Sequence, residues 1–368
     1  MSDYTFVGWE LMEKFVVGAF MGCGVPEEDA RICADVLLES DRRGIESHGV
    51  NRFKPIYIDR LKEGIQKPVT QFEIVREGPT TAVVDGHDGM GQVIAKRSMQ
   101  MAIDKAKKYG MGMVAVRNST HFGIAGYYAT MATKAGCMGI TGTNARPSTA
   151  PTFGVENMLG TNPLTFGIPT DEEFDFVIDC ATSITQRGKI EYFERMGQPT
   201  PAGMVINRKG ETMTDSKKIL EDLVTGEAAL VPLGGIGVKL GGYKGYGYAT
   251  VVEMLSAALQ GGAYMKMLTG ISDGKKVPYH LGHFFIAIDV EPFTELSQFR
   301  KTTGDILREL RASERAPGHE RIYTAGEKEY ITWMENKDKG VPVNKSVQKE
   351  LLAIRDELDL DIKFPFED

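Results

Sequence analysis

The stretch AVVDGHDGMGQVIA, residues 82–95, decides the fold. An apolar run, a G-x-G made by Gly89 and Gly91, and a helix opening follow one another, which is how a dinucleotide-binding fingerprint begins. The rest of that fingerprint is missing. No third glycine stands at the required spacing, and the next strand, MVAVRN, carries Arg117 near its end where an acid would be needed to hold a ribose hydroxyl. The segment therefore reads as a turn feeding a helix N-terminus, and a Rossmann site is not expected here.

On the C-terminal side of this stretch, QVIAKRSMQMAIDKAKKYG is an amphipathic helix that stops at Gly110. MGMVAVRN reads as a strand and IAGYYATMATKAG as a helix. MGITGTN, LTFGIP and FDFVIDCAT are short apolar runs separated by turns, the pattern of a mixed or antiparallel sheet. NRKGETMTD (207–215) is turn-rich. The glycine-rich LGGIGVKLGGYKGYG (233–247) leads into the apolar helix YATVVEMLSAALQ, and HFFIAIDVE (283–291) alternates like a strand. On the N-terminal side, Trp9–Met21, Glu27–Ser40 and Asn51–Lys62 carry apolar residues at helical spacing. The last third closes with three charged helical segments: ELSQFRKTTGDILRELRAS, AGEKEYITWMENKDKG and VNKSVQKELLAIRDEL. Helices at both ends have no other obvious apolar partner, so the two ends are expected to pack together.

The chain is long enough, at 368 residues, for two or three units. A net charge of −7 without any basic run excludes nucleic acid and anionic membranes as natural partners. The four cysteines form no CxxC pair and fit a reducing cytosol. FVVGAFMGCG (15–24) has the length of a signal-peptide core, but Asp3, Glu10 and Glu13 precede it instead of a basic region; it reads as a helix face, and a cytoplasmic protein is expected.

Chemistry has few carriers in a chain with only six histidines. His48 lies in a break between helices, in ESHGVNRF (46–53), flanked by Ser47 and Gly49. His121, in NSTHFGIAGYY, lies at a strand-to-helix junction, a frequent place for catalytic groups. Either can also be an incidental loop histidine. His280 and His283 have no acidic or thiol companions at metal-ligand spacing, and no metal site is expected. Asp179 ends an apolar run, where it can orient a histidine or cap a helix. In GGYKGYGYAT (241–250), repeated glycines, Lys244 and a following helix N-terminus can cradle a phosphate, or form a flexible loop.

Six segments in order, ESHGVNRF, NSTHFGIAGYY, GTNPLTFGIP, VIDCATS, GGYKGYGYA and APGHE, together resemble the type-2 malate/L-lactate dehydrogenase family, from about residue 8 to residue 360. The resemblance implies an α/β fold of the α+β type. Its NAD or NADP domain is not a Rossmann fold but a largely antiparallel mixed sheet, accompanied by a helical domain built from both chain ends. The expected division is 1–68 with 293–368 for the helical domain, 69–118 with 278–292 for a small substrate-side α/β domain, and 119–277 for the cofactor domain. It also implies a homodimer with the active site near the subunit contact.

Residue by residue, the resemblance puts the proton donor or acceptor on His48, or, as in ureidoglycolate dehydrogenase, on His121. It puts a carboxylate clamp on Arg52, beside Ser47. Cofactor contacts fall on Ile178, Asp179, Cys180, Ala181, Thr182 and Ser183, on Tyr243 and Lys244, and on Gly318, His319 and Glu320. The sequence departs from ureidoglycolate dehydrogenase at Ala145-Arg146, where that enzyme has a Ser-Asp pair. A cation at Arg146 suits a second substrate carboxylate and turns the expectation toward malate and oxaloacetate, with NAD as the favoured cofactor. Lactate, sulfolactate, a diketo acid or a cyclic imine is the alternative substrate on the same scaffold. A cofactor-binding regulator without turnover is the alternative from another class.

Overall fold

A computed structural model describes residues 4–367. Residues 1–3 of the expected helical unit, Asp3 among them, and residue 368 lie outside the described residues. The N-terminal part holds strand β1 (Tyr4–Val7) and helices α1 (Trp9–Gly22) and α2 (Glu27–Arg42). Two 3-10 turns, Glu46–His48 and Val50–Arg52, then pass into a π-helical turn, Phe53–Ile58, which runs on into the short helix α3 (Asp59–Lys62). The single regular helix expected over Asn51–Lys62 is thus replaced by three helical geometries. Pro55 has no N–H to give an α-helical ladder, and the extra residue is absorbed as a π turn, a device frequent at functional sites.

Next come β2 (Glu73–Glu77), β3 (Thr81–Asp85), α4 (Gly91–Tyr109), β4 (Met111–Ser119), α5 (Ala125–Lys134), β5 (Cys137–Thr143), β6 (Leu164–Ile168) and β7 (Phe176–Cys180). A small module follows, with α6 (Arg187–Arg195), β8 (Val205–Asn207), α7 (Ser216–Thr225) and β9 (Ala228–Leu230); its own core holds Ile190, Val205, Ile219 and Leu230. The chain continues through α8 (Gly242–Ala257), the hairpin β10 (Ile271–Ser272) and β11 (Lys275–Lys276), β12 (Leu281–Asp289), α9 (Leu296–Ala312), α10 (Glu327–Asn336), β13 (Val341–Asn344) and α11 (Lys345–Glu357).

The main sheet has seven strands in the order β2-β3-β4-β12-β5-β6-β7. Only β3 and β4 are parallel; every other neighbouring pair is antiparallel. The stretch at 82–95 is therefore one βαβ unit inside an otherwise antiparallel sheet. It lacks nucleotide-site features for visible reasons. Gly91, at the start of α4, gives its N–H to Thr120 Oγ1 at 3.0 Å, and a Cβ at Gly91 would meet the Thr120 and His121 carbonyl oxygens at 2.4 and 2.5 Å. The helix terminus that would hold a pyrophosphate is filled by the protein's own backbone. Arg117, in the place of the missing acid, pairs with Asp85 at 2.8 Å.

Helices α4 and α5 bury Val93, Ile94, Met99 and Tyr128 among the clusters that include Val114, Val116 and Phe285 of the sheet. Helix α8 lies on the opposite face, so close that a Cβ at Gly282 of β12 would sit 1.6 Å from the Ser256 carbonyl oxygen. Both chain ends share one apolar core, with Phe15, Phe20, Phe53, Leu351, Ile354 and Phe364 in it. β1 and β13 pair antiparallel across it, Tyr4 opposite Asn344. β12 is hydrogen-bonded to both β4 and β5, so the expected boundary between 69–118 and 119–277 runs within a continuous sheet. Helix α9 docks on the β6–β7 turn rather than among the terminal helices: Arg308 pairs with Asp171 and Glu172, and Thr303 donates to the Pro169 carbonyl.

Candidate active site

Two loops bring the histidines together. The first follows α2 and carries Ser47 and His48 on its 3-10 turns. Its shape depends on Asp41, which is 2 % exposed and accepts the Val50 N–H at 3.0 Å. A Cβ at Gly49 would lie 2.0 Å from Asp41 Oδ1, so the glycine of SHG lets the turn close over a buried carboxyl. Burial pushes the Asp41 carboxyl up to about 8, with Glu46 adding to the rise. Free aspartate titrates near ~3.9, so the stability this group contributes is full below that pH and is lost as pH rises through about 8. Asp41→Asn keeps an oxygen for Val50 without the charge. Its melting temperature should exceed that of the wild type at pH 8, the gap shrinking as pH falls; a constant gap in thermal scans between pH 5 and 8 contradicts the assignment.

The second loop joins β4 to α5 and carries His121. The His48 and His121 rings stack with centroids 5.7 Å apart at 21°. Tyr57, placed by the π turn, puts its hydroxyl 2.7 Å from His121 Nδ1. The Gly123 N–H also points at that nitrogen, at 3.3 Å. A backbone N–H can only donate, so Nδ1 is the acceptor and the ring proton sits on Nε2. Burial, then the charges of His48, Arg60 and Arg52, hold the His121 pKa well below the usual histidine range. His121 is thus a neutral Nε2–H donor. Burial also lowers His48, while Asp179 pulls it back up and Arg52 lowers it again. Its Nδ1 lies 2.9 Å from Ser47 Oγ, a hydroxyl that can donate or accept, so His48 is free to change protonation state.

Of the two roles open to Asp179, orienting a histidine is not seen: His48 donates no hydrogen bond to it, and its Nδ1 meets Ser47 instead. Asp179 accepts from the Gly126 N–H, in the first turn of α5, at 2.7 Å and from Thr165 Oγ1 at 2.9 Å, a helix-terminus role that suits a carboxylate. It still faces His48 across a cavity of about 110 Å³, whose wall includes Ser47, His48, Gly123, Thr161, Asp179 and Ala181. Arg52 opens instead into an adjoining cavity of about 560 Å³ under α6. Its Nε donates to the Ser47 carbonyl at 3.0 Å and a terminal nitrogen lies 3.8 Å from Glu191. Arg146 is exposed on the β5–β6 connection.

The residues expected to hold a nicotinamide cofactor fall into two groups. Ile178, Asp179 and Cys180 form the exposed end of the edge strand β7. Its continuation pairs with the start of the glycine-rich segment, Leu233 N–H to Thr182 O at 2.8 Å, so this strand and the loop before α8 are neighbours. Tyr243 and Lys244 are exposed on the first turn of α8. A Cβ at Gly242 would meet the Gly235 carbonyl at 2.0 Å, and one at Gly245 the Leu233 carbonyl at 2.3 Å; the glycines let this loop fold tightly under the helix N-terminus. An exposed helix N-terminus with a lysine beside an open strand edge fits a pyrophosphate and its ribose. Thr182 and Ser183 are buried and their side chains are occupied: Thr182 donates to Asn162 O and Ser183 to Thr185 O, so neither hydroxyl is open to a cofactor. Gly318, His319 and Glu320 form an exposed turn that makes no hydrogen bond to either group among the described residues.

The sequence reading missed Tyr57 and Gly123, which fix the His121 tautomer. Tyr57 was hidden by the assumption of a regular helix, in which it does not share a face with Arg52; Pro55 was the available signal.

The match to the malate/L-lactate dehydrogenase family model spans residues 7–352. The malate dehydrogenase of Pyrococcus horikoshii is 42% identical over 96% of this chain and 95% of its own. The L-sulfolactate dehydrogenase of Methanocaldococcus jannaschii is 39% identical over 95% of this chain and 96% of its own. The crystal structure of malate dehydrogenase from Entamoeba histolytica superposes with a TM-score of 0.95 at 44% identity, covering 98% of this chain and 100% of that one. The cavity lined by His48, with His121 stacked on that histidine beside an antiparallel sheet, is therefore that of a dehydrogenase, and the chain belongs to the malate/L-lactate dehydrogenase family.

Proposed function

We propose that the chain interconverts malate and oxaloacetate with NAD, as a cytoplasmic homodimer in which His48 moves the proton. The observation that carries this reading is the locked tautomer of His121 beside an unlocked His48. The nicotinamide cofactor supplies hydride exchange when bound. The chain's own residues must then handle a proton on the substrate oxygen. His121 can donate a hydrogen bond from Nε2 and polarise a carbonyl. It cannot serve as base without a lone pair on Nε2. Full transfer of its proton would need Tyr57 to reprotonate Nδ1, and burial raises the Tyr57 hydroxyl far above its usual range. His48 has no such lock. Arg52 holds the carboxylate next to the reacting carbon, exchanging its loose contact with Glu191 for a bidentate one. Arg146, exposed on the β5–β6 connection, adds a cation that attracts a second carboxylate. A sulfonate in that position meets the same cation, which makes sulfolactate the second reading.

NAD is favoured over NADP because the expected cofactor stretch at the end of β7 carries the carboxylate of Asp179, which repels a 2′-phosphate. The homodimer is supported by α8, which leaves apolar residues on its outer face as well as its buried one. Tyr248, Val251 and Met254 remain between 47% and 60% exposed on a helix whose other face is already buried. The cytoplasmic reading rests on four unpaired cysteines and a negative net charge. No helix among the described residues is long and apolar enough to cross a membrane.

Two substitutions test the site map. Lys244→Ala should weaken NADH binding by about 10–100-fold, the loss of one charge-assisted contact, whereas Gly89→Ala should change it little. A fluorescence titration with the opposite ranking returns the cofactor to the 82–95 turn. Arg52→Lys keeps the charge but loses the fork, so KM for oxaloacetate should rise about tenfold with the Kd for NADH unchanged; an unaltered KM removes Arg52 from the substrate site.

A further inference from the structure

Arg60 is a half-buried cation next to the site with no acid paired to it. It lies one turn beyond Tyr57 on the same helical segment, and its guanidinium stacks over the Tyr279 ring at 4.5 Å. The acids near it in sequence are engaged elsewhere: Asp59 binds Lys54 at 2.7 Å and Glu63 binds Lys276 at 2.5 Å. No carboxylate pairs with Arg60 or with Arg146 among the described residues. The two charges nevertheless feel one another, and Arg60 bears on His121 as well. Burial and the charge of Arg146 lower the Arg60 pKa, a direction that a bound anion would reverse. A partly desolvated guanidinium that feels a second cation, stacked on an aromatic ring one turn from the tyrosine that binds His121, calls for an anionic group from outside the chain.

We propose that Arg60, seated on Tyr279 and aided by Arg146, forms the subsite for the distal acid group of the substrate, the carboxylate or sulfonate on the carbon next to the reacting one. The inference rests on the 2-hydroxy-acid reading above and adds to it the residue that separates dicarboxylates from lactate. A planar fork pre-set by stacking on an aromatic ring fits a carboxylate bidentately, and its place one turn beyond Tyr57, whose hydroxyl meets His121, sets it on that side of the site. Arg146, being exposed, contributes attraction from the outside.

The test measures binding of malate, sulfolactate and lactate by calorimetry to the wild-type enzyme, Arg60→Gln and Arg60→Lys, each saturated with NADH. Thermal scans confirm that the variants fold. Arg60→Gln should lose about 10–100-fold in affinity for malate, with lactate changed by less than about threefold, and Arg60→Lys should recover part of the loss. Preference of the wild type for malate or for sulfolactate tells which acid group the subsite takes. Equal losses for malate and lactate overturn the proposal, because Arg60 then acts by holding Tyr57 and His121. An unchanged malate affinity overturns it too. A wild-type enzyme that binds none of the three acids sinks the parent reading instead, and this inference with it.

Discussion

His48→Ala should lower kcat for oxaloacetate reduction by about 10²–10⁴-fold, the usual loss for a general acid–base group, with the Kd for NADH close to that of the wild type. The expected pH behaviour follows from the burial that lowers the His48 pKa. Malate oxidation needs the neutral imidazole, so wild-type kcat/KM should rise with pH through a midpoint on the acid side of ~6.5 and then level off. Reduction needs the imidazolium and should fall through the same midpoint. Both limbs should vanish in His48→Ala. His121→Ala should keep them, with a smaller loss of kcat and a raised KM, because a donor to the carbonyl is lost while the titrating group remains. If the limb survives in His48→Ala and disappears in His121→Ala, the two roles are exchanged.

Gly91→Ala should be nearly as damaging, by a different route. The added Cβ meets two backbone carbonyls, those of Thr120 and His121, at 2.4 and 2.5 Å, and neither can yield without moving the histidine loop. A shift of that size in positioning costs on the order of 10²-fold in rate. Overpacking should also remove about 1–3 kcal/mol of stability. NADH affinity should be little changed, since the G-x-G turn holds His121 rather than a pyrophosphate. Loss of NADH binding with kcat preserved at saturation would falsify this account of the turn.

What the sequence made legible was set by period and punctuation. α4 stops at Gly110 because φ there is +87°, a left-handed position that glycine adopts freely, and the reading placed it correctly. The short apolar runs gave the antiparallel sheet; β12, expected to alternate, is instead buried on both faces because helices cover it from either side. Lost were elements whose signal is weak or non-local. β1 is four residues long and exists only because β13 pairs with it from the other end of the chain. α6 buries a single side chain, Ile190, so charge dominates its pattern. At the site, Ser47, His48, Arg52 and His121 were named from their motifs. Tyr57 and Arg60 were not, because a π turn shifts which residues share a face. The Asp179–His48 pairing failed because carboxylate geometry is decided by α5, whose first-turn N–H lies nearer than the imidazole.

The central claim, that this cavity carries out hydride chemistry on a C4 2-oxo dicarboxylic acid, is tested most directly by NADH oxidation followed at 340 nm with saturating cofactor and oxaloacetate or pyruvate as substrate. The predicted result is turnover of oxaloacetate with kcat/KM at least about tenfold above that for pyruvate, and a lower rate when NADPH replaces NADH. Absence of NADH and NADPH oxidation with both acids, or a preference for pyruvate, would contradict the account.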